Sequence, residues 1–90
     1  MQILAEQKLK YLSRRKTEIQ QLRDSVSAGD FELAGEIGHR LKGNGGTFGY
    51  PQISAIGVSL EDASKAKDKK KLLESIEKLN LIIEEDLKHI

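Results

Sequence analysis

Leu72, Ile76, Leu79, Ile83 and Leu87 follow one another at intervals of three and four, and Leu73, Leu81 and Ile82 widen the row. That period belongs to an α-helix with one buried face, since a strand would alternate every second residue. A helix of this kind needs other apolar helical faces to cover it, and three earlier segments supply them. Leu4, Tyr11, Leu12, Ile19, Leu22 and Val26 keep a helical spacing that the charged Lys8 and Arg15 interrupt, and Ser27, Ala28 and Gly29 end it. Asp30 is the expected N-cap of a second helix, which carries Phe31, Ala34, Ile37, Leu41 and Phe48 to about Thr47 or Phe48, with Gly49 as its stop. Pro51 suits the first turn of a third helix that buries Ile53, Ile56, Leu60 and Ala63 and fades near Ala66. Asp68 is the expected N-cap of the last.

Four amphipathic helices on short connections bury their stripes most simply as an antiparallel, up-down-up-down four-helix bundle, an all-α fold in one domain over residues 1–90. Ninety residues leave room for a single core, and with 38% apolar but only 4% aromatic residues that core is built from Leu, Ile, Val and Ala. One Pro and sparse β-branched runs exclude a sandwich or barrel. The absence of Cys removes disulfides, thiol nucleophiles and thiolate metal sites, and fits a cytoplasmic location. No segment approaches the roughly 20 apolar residues of a membrane span, and Met1 to Lys10 lacks the apolar stretch of a signal peptide. Fifteen basic against fourteen acidic residues leave a charge of +1, without the excess that nucleic-acid binding needs. Lys65, Lys67, Lys69, Lys70 and Lys71 read as a solvated charge run around the last connection.

The stretch from Gly35 to Gly46 breaks the helical rules. Gly35, Gly38, Gly43, Gly45 and Gly46 fall inside or at the end of the second predicted helix. At helix-interior positions they forfeit roughly 3–5 kcal/mol relative to Ala, a large part of the ~5–15 kcal/mol that stabilises a small domain. With about 100° per residue, Ala34, Ile37, Leu41, Gly45 and Phe48 face the core, and His39 points roughly 150° away, into solvent. Gly38 and Gly45 lie toward the core, where a neighbouring helix gains close approach. Gly35, Gly43 and Gly46 share the direction of His39 and are expected to clear the surface around its ring, with Lys42 on the same flank.

An exposed imidazole with cleared surroundings and a lysine beside it suits a nucleophile for phosphoryl groups. A free imidazole titrates near ~6.5, so at neutral pH it is mostly uncharged and offers a lone pair. The lysine carries the right sign for a transferred anion. A metal site is poorly supported: the other histidine, His89, sits at the far end of the last helix, and no His-Glu-x-x-His spacing occurs. Gly43 to Gly49 does not match the phosphate-binding GxxxxGK[ST] loop. Glu36 and Glu61 as an acid–base pair are the kind of pairing charged helix faces produce routinely, so the chain reads as a non-enzyme.

His39-Arg40-Leu41-Lys42-Gly43, followed by Asn44-Gly45-Gly46-Thr47-Phe48-Gly49-Tyr50, resembles the signature of histidine-containing phosphotransfer (HPt) domains, His-x-x-Lys-Gly and then small residues with a Gly at the helix end. The resemblance implies a four-helix bundle that accepts a phosphoryl group on histidine from the aspartate of a response-regulator receiver domain and passes it to another receiver, as a phosphocarrier without kinase activity. It implies that His39 is phosphorylated, that Lys42 steadies the phosphoryl group, that Gly43 gives access, and that Glu61 on the next helix accepts a hydrogen bond from Nδ1–H of His39 and so presents Nε2. It further implies receiver domains and a hybrid sensor kinase as partners, no cofactor in this domain, and Mg²⁺ in the receiver. The glycine richness at Gly35, Gly38, Gly45 and Gly46 departs from the family's pattern.

The expected docking surface is His39 with Gly35, Arg40, Gly43 and Gly46, on a monomer. Arg14, Arg15 and Lys16 are candidates for guiding an acidic receiver, against a plain reading as a solvated face. The alternative function is a non-phosphorylated helical docking module that binds receiver or other signalling proteins through the His39 face. A small dimerisation bundle is a third reading.

Overall fold

All four apolar stripes turn inward. In the computed structural model, which describes residues 3–90, they form α1 (Ala5–Ser27), α2 (Glu32–Asn44), α3 (Pro51–Lys65) and α4 (Lys69–Leu87), with no strand among the described residues. Tyr11, Leu12, Ile19, Leu22 and Val26 of α1 meet Ala34, Ile37 and Leu41 of α2, Ile53, Leu60 and Ala63 of α3, and Leu72, Ile76, Leu79 and Ile83 of α4 in one core. Each helix packs on two others in a closed ring, α1 against α2 and α4, α3 against α2 and α4. Contacts fix the directions: Tyr11 near the start of α1 reaches Asn44 at the end of α2, Ser64 near the end of α3 reaches Phe31 before α2, and Lys69 at the start of α4 reaches Ser27 at the end of α1. The bundle is antiparallel and up-down-up-down.

Two members of the predicted stripes lie elsewhere, and one residue outside them turns inward. Leu4 is 59% exposed because it precedes the first turn of α1, and Leu81 is 64% exposed because the core already has Leu79 and Ile83 on either side of it. Arg15, read as an interruption, is buried. Its guanidinium donates from Nε to Glu18 Oε1 at 2.6 Å and lies over the Tyr11 ring, so the charge is paired and the stem packs. Tyr11 in turn stacks on Phe48 at 4.3 Å between centroids, with the Tyr50 ring 6.1 Å away and nearly parallel, and its hydroxyl donates to Asn44 Oδ1.

Helix ends follow the sequence closely at α3 and α4 and less so at α2. Pro51 opens α3, and Asp68 caps α4 by accepting the Lys71 N–H. Asp30 is not the N-cap of α2. That position belongs to Phe31, and the Asp30 carboxylate accepts from Glu32 N–H, satisfying a free donor of the first turn from one residue further out. The helix stops at Asn44 rather than at Thr47 or Phe48, because Ser54 of α3 enters its hydrogen-bond ladder: its hydroxyl donates to the Leu41 carbonyl and accepts from Gly46 N–H. One loose turn follows to Gly49.

The segments ending at Gly29, Gly49 and Lys67 close alike. Each places a left-handed residue, with φ of 85°, 88° and 54°, where the next N–H bonds back five residues, to Ser25, Gly45 and Ala63. Glycine meets that requirement freely, and lysine does so at a cost of about 1 kcal/mol.

Candidate functional site

The α2–α3 seam is closed by glycine on both sides. A Cβ on Gly38 would lie 2.7 Å from the Gly57 carbonyl oxygen, and one on Gly57 would lie 2.5 Å from the Lys42 amide nitrogen, so the two backbones touch. This crossing sits one residue before His39 and one turn before Glu61. It sets the His39 face of α2 against α3 at side-chain reach.

His39 projects from α2 with 67% of its side chain exposed, while the Glu61 side chain is 14% exposed. Glu61 Oε2 lies 2.7 Å from His39 Nδ1, and Oε1 accepts from Lys42 Nζ at 2.8 Å. One carboxylate thereby holds both groups that the sequence singled out. The lysine ammonium first, and the imidazole second, lower the Glu61 carboxyl from 4.5 to about 2, so it is ionised throughout the neutral range. With Nδ1 engaged by an anion, the tautomer that gives a hydrogen bond there carries its proton on Nδ1 and leaves the Nε2 lone pair on the outer edge of the ring.

The surroundings divide the predicted glycine ring. Gly43 faces open space, as expected for a position that gives access. Gly35 does not serve to clear the ring: a Cβ there would lie 2.6 Å from Ser64 Oγ, so it admits α3, as Gly38 and Gly45 do, although it still lines the cleft. Gly46 lies in the turn beyond the end of α2, its N–H bonded to Ser54, and the helical register that aligned it with His39 does not extend so far. Arg40 is exposed and borders both the His39 cleft and a groove between α1 and α2 that Arg14 shares. Of the three basic residues considered for guidance, Arg15 is buried against Glu18 and Lys16 is bound to Glu84 and Asn80 across α4, which leaves Arg14.

The sequence reading placed Glu61 beside His39 and overlooked its bond to Lys42. It also passed over Gly57, whose signal was present as a glycine inside the third predicted helix, three residues before the core Leu60. His89 is bonded to Glu85 at the end of α4. Among the described residues no three His, Asp or Glu side chains converge as metal ligands, and no helix is long and apolar enough to cross a membrane.

Neither the curated proteins nor the solved structures contain a match to the chain. The family model described as Hpt domain matches residues 10–89. That span takes in the glycine crossing, the whole of α2 and α3 and the carboxylate between them, and the chain therefore belongs to the Hpt domain family, the histidine phosphotransfer modules that act in phosphorelays as phosphocarriers and not as kinases.

Proposed function

We propose that His39 is the residue that carries the phosphoryl group, taking it from the aspartate of a receiver domain and handing it to a second receiver. The observation that supports this most directly is the Nδ1 contact with Glu61 on an exposed ring whose other nitrogen has no partner among the described residues. In the forward step the Nε2 lone pair attacks phosphorus, the P–O bond to the aspartyl carboxylate breaks, and the carboxylate leaves with that electron pair. The ring gains a positive charge, which the Glu61 carboxylate at Nδ1–H balances, so no base has to remove a proton during attack. The reverse reaction returns the bonding pair to Nε2.

Lys42 is placed to accompany both directions. Its ammonium has three N–H donors and Glu61 takes one, which leaves two for phosphoryl oxygens without breaking the ion pair. Because Lys42 is 45% exposed, its attraction for the anion is that of a solvated pair, and it assists rather than decides the transfer. Positioning is what this domain contributes, and the Mg²⁺ that neutralises the transferring group is expected in the receiver. The same reading takes the domain as a cytoplasmic monomer, without kinase activity or a cofactor of its own, and served by a hybrid sensor kinase.

The test is incubation of the purified domain with Mg²⁺ and receiver domains loaded from a small acyl phosphate. An acid-labile, base-stable phosphoryl group on His39, absent in His39→Gln and formed roughly tenfold more slowly in Lys42→Ala, is the expected result. Total loss in both variants, with the fold intact, contradicts the ranking of the two residues. Receiver binding without phosphorylation of His39 supports the docking-module alternative.

A further inference from the structure

Five lysines, Lys65, Lys67, Lys69, Lys70 and Lys71, surround the α3–α4 connection, all of them exposed and none in an ion pair among the described residues. Their placement works against the fold twice. Lys67 takes a left-handed position of the kind that Gly29 and Gly49 fill elsewhere, and Lys69, Lys70 and Lys71 put three cations into the first turn of α4, where the free N–H groups are already positive. A charge run that served solubility alone would have the outer faces of four helices available, free of both penalties. Among the described residues only the Lys69 side chain has a hydrogen-bond partner, the Ser27 carbonyl oxygen at 3.2 Å.

The run also begins at the site. Lys65 lies one turn after Glu61 and lines the same cleft as His39. The opposite wall carries Glu32 and Glu36, exposed and likewise without ion pairs among the described residues. Beside His39 the charges are mixed, Arg40 on α2 facing Glu61 on α3, but the far end of the cleft is polarised, acidic on α2 through Glu32 and Glu36 and basic on α3 through Lys65 and the turn beyond it.

We infer that this lysine strip docks an acidic face of the protein that exchanges phosphoryl groups with His39, and that Glu32 and Glu36 fix the orientation of that protein by repelling the same acidic face from the α2 side. The inference rests on the phosphotransfer reading. A protein that brings its aspartate to His39 comes up against the cleft that Lys65 shares with the imidazole, and the other lysines follow Lys65 around the turn. A uniformly anionic surface, such as a lipid bilayer or a nucleic acid, would meet Glu32 and Glu36 with the wrong sign, whereas a protein face can carry both. Steering of this kind raises the association rate and fades with salt.

The experiment measures transfer from the receiver domain that phosphorylates the wild type fastest, as a function of its concentration, at about 25 mM and about 500 mM salt. The variant is Lys67→Glu/Lys70→Glu/Lys71→Glu, which keeps the Lys69 contact and adds acidic residues that suit a helix N-terminus, so that folding is not put at risk. The second-order rate constant is expected to fall about tenfold or more at low salt, with the saturated rate unchanged and the difference nearly gone at high salt. Glu36→Lys turns the repulsion from the α2 side into attraction and is expected to speed association at low salt while lowering the saturated rate, because misoriented encounters accumulate. Wild-type kinetics in the triple variant at low salt overturn the inference, as does lysine-dependent binding to anionic phospholipid vesicles or duplex DNA while transfer is unaffected. A wild type that no receiver phosphorylates defeats the underlying function instead, and the inference with it.

Discussion

Two seams of this bundle carry ion pairs of the same length and differ in what lies beneath them. Between α1 and α4, Arg23 meets Glu77 at 2.7 Å and Lys16 meets Glu84 at 2.6 Å, over Leu and Ile side chains and with no glycine in either helix. Between α2 and α3, Lys42 meets Glu61 at 2.8 Å over a crossing of two glycines. The first pairs stand in solvent, with side chains 34–52% exposed, and such pairs contribute little. The second lies against touching backbones, and its carboxylate is sheltered and shared with an imidazole. Similar charges become a site on one seam and a solvated fringe on the other because glycine sets how near the helices come.

The crossing itself is the place to break this contrast. Gly57→Ala sets a methyl group against the Lys42 amide and is expected to cost about 2–3 kcal/mol, a fall in Tm of roughly 10 °C or more in a domain of this size. A melting curve that does not move would show that the seam relaxes without loss. Glu61→Ala comes next, and its larger effect falls on chemistry: transfer to His39 slows by roughly tenfold, with a fall in Tm at neutral pH smaller than that of Gly57→Ala. The acid side sharpens the point. Because folding lowers the Glu61 carboxyl from 4.5 to about 2, the stability it contributes is complete above 4.5 and is lost as pH falls toward 2. Chemical denaturation across that window should show a smaller decline in Glu61→Ala than in the wild type. Smallest of all, Arg23→Ala on the other seam should move Tm by at most a few degrees and leave transfer untouched; a larger loss would make the α1–α4 fringe a structural element.

The sequence made much of this legible. Helical spacing identified all four elements, and the register that turned His39 away from Ala34, Ile37 and Leu41 was right because α2 is regular as far as Asn44. The same register failed for Gly46, where a hydroxyl from another helix ends the ladder. It also misassigned Gly35: a missing side chain on a helix looks the same whether the space is left for a partner protein or filled by Ser64 of the neighbouring helix. Arg15 was misread for a related reason, since burial of a charge depends on a partner, Glu18, that hydropathy does not take into account. The double use of Glu61 lay beyond spacing altogether, because it follows from the distance between two helices and from nothing within either.

The stack of Tyr11, Phe48 and Tyr50 has a consequence for observation. The chain contains no tryptophan and only two tyrosines, and both belong to this stack, one on α1 and the other at the entrance to α3. Tyrosine emission from the protein therefore originates entirely where the α2–α3 turn rests on the first helix. Any event that lifts the turn separates the rings and alters tyrosine fluorescence and near-ultraviolet dichroism together, which gives the molecule a label-free optical gauge of its own closure.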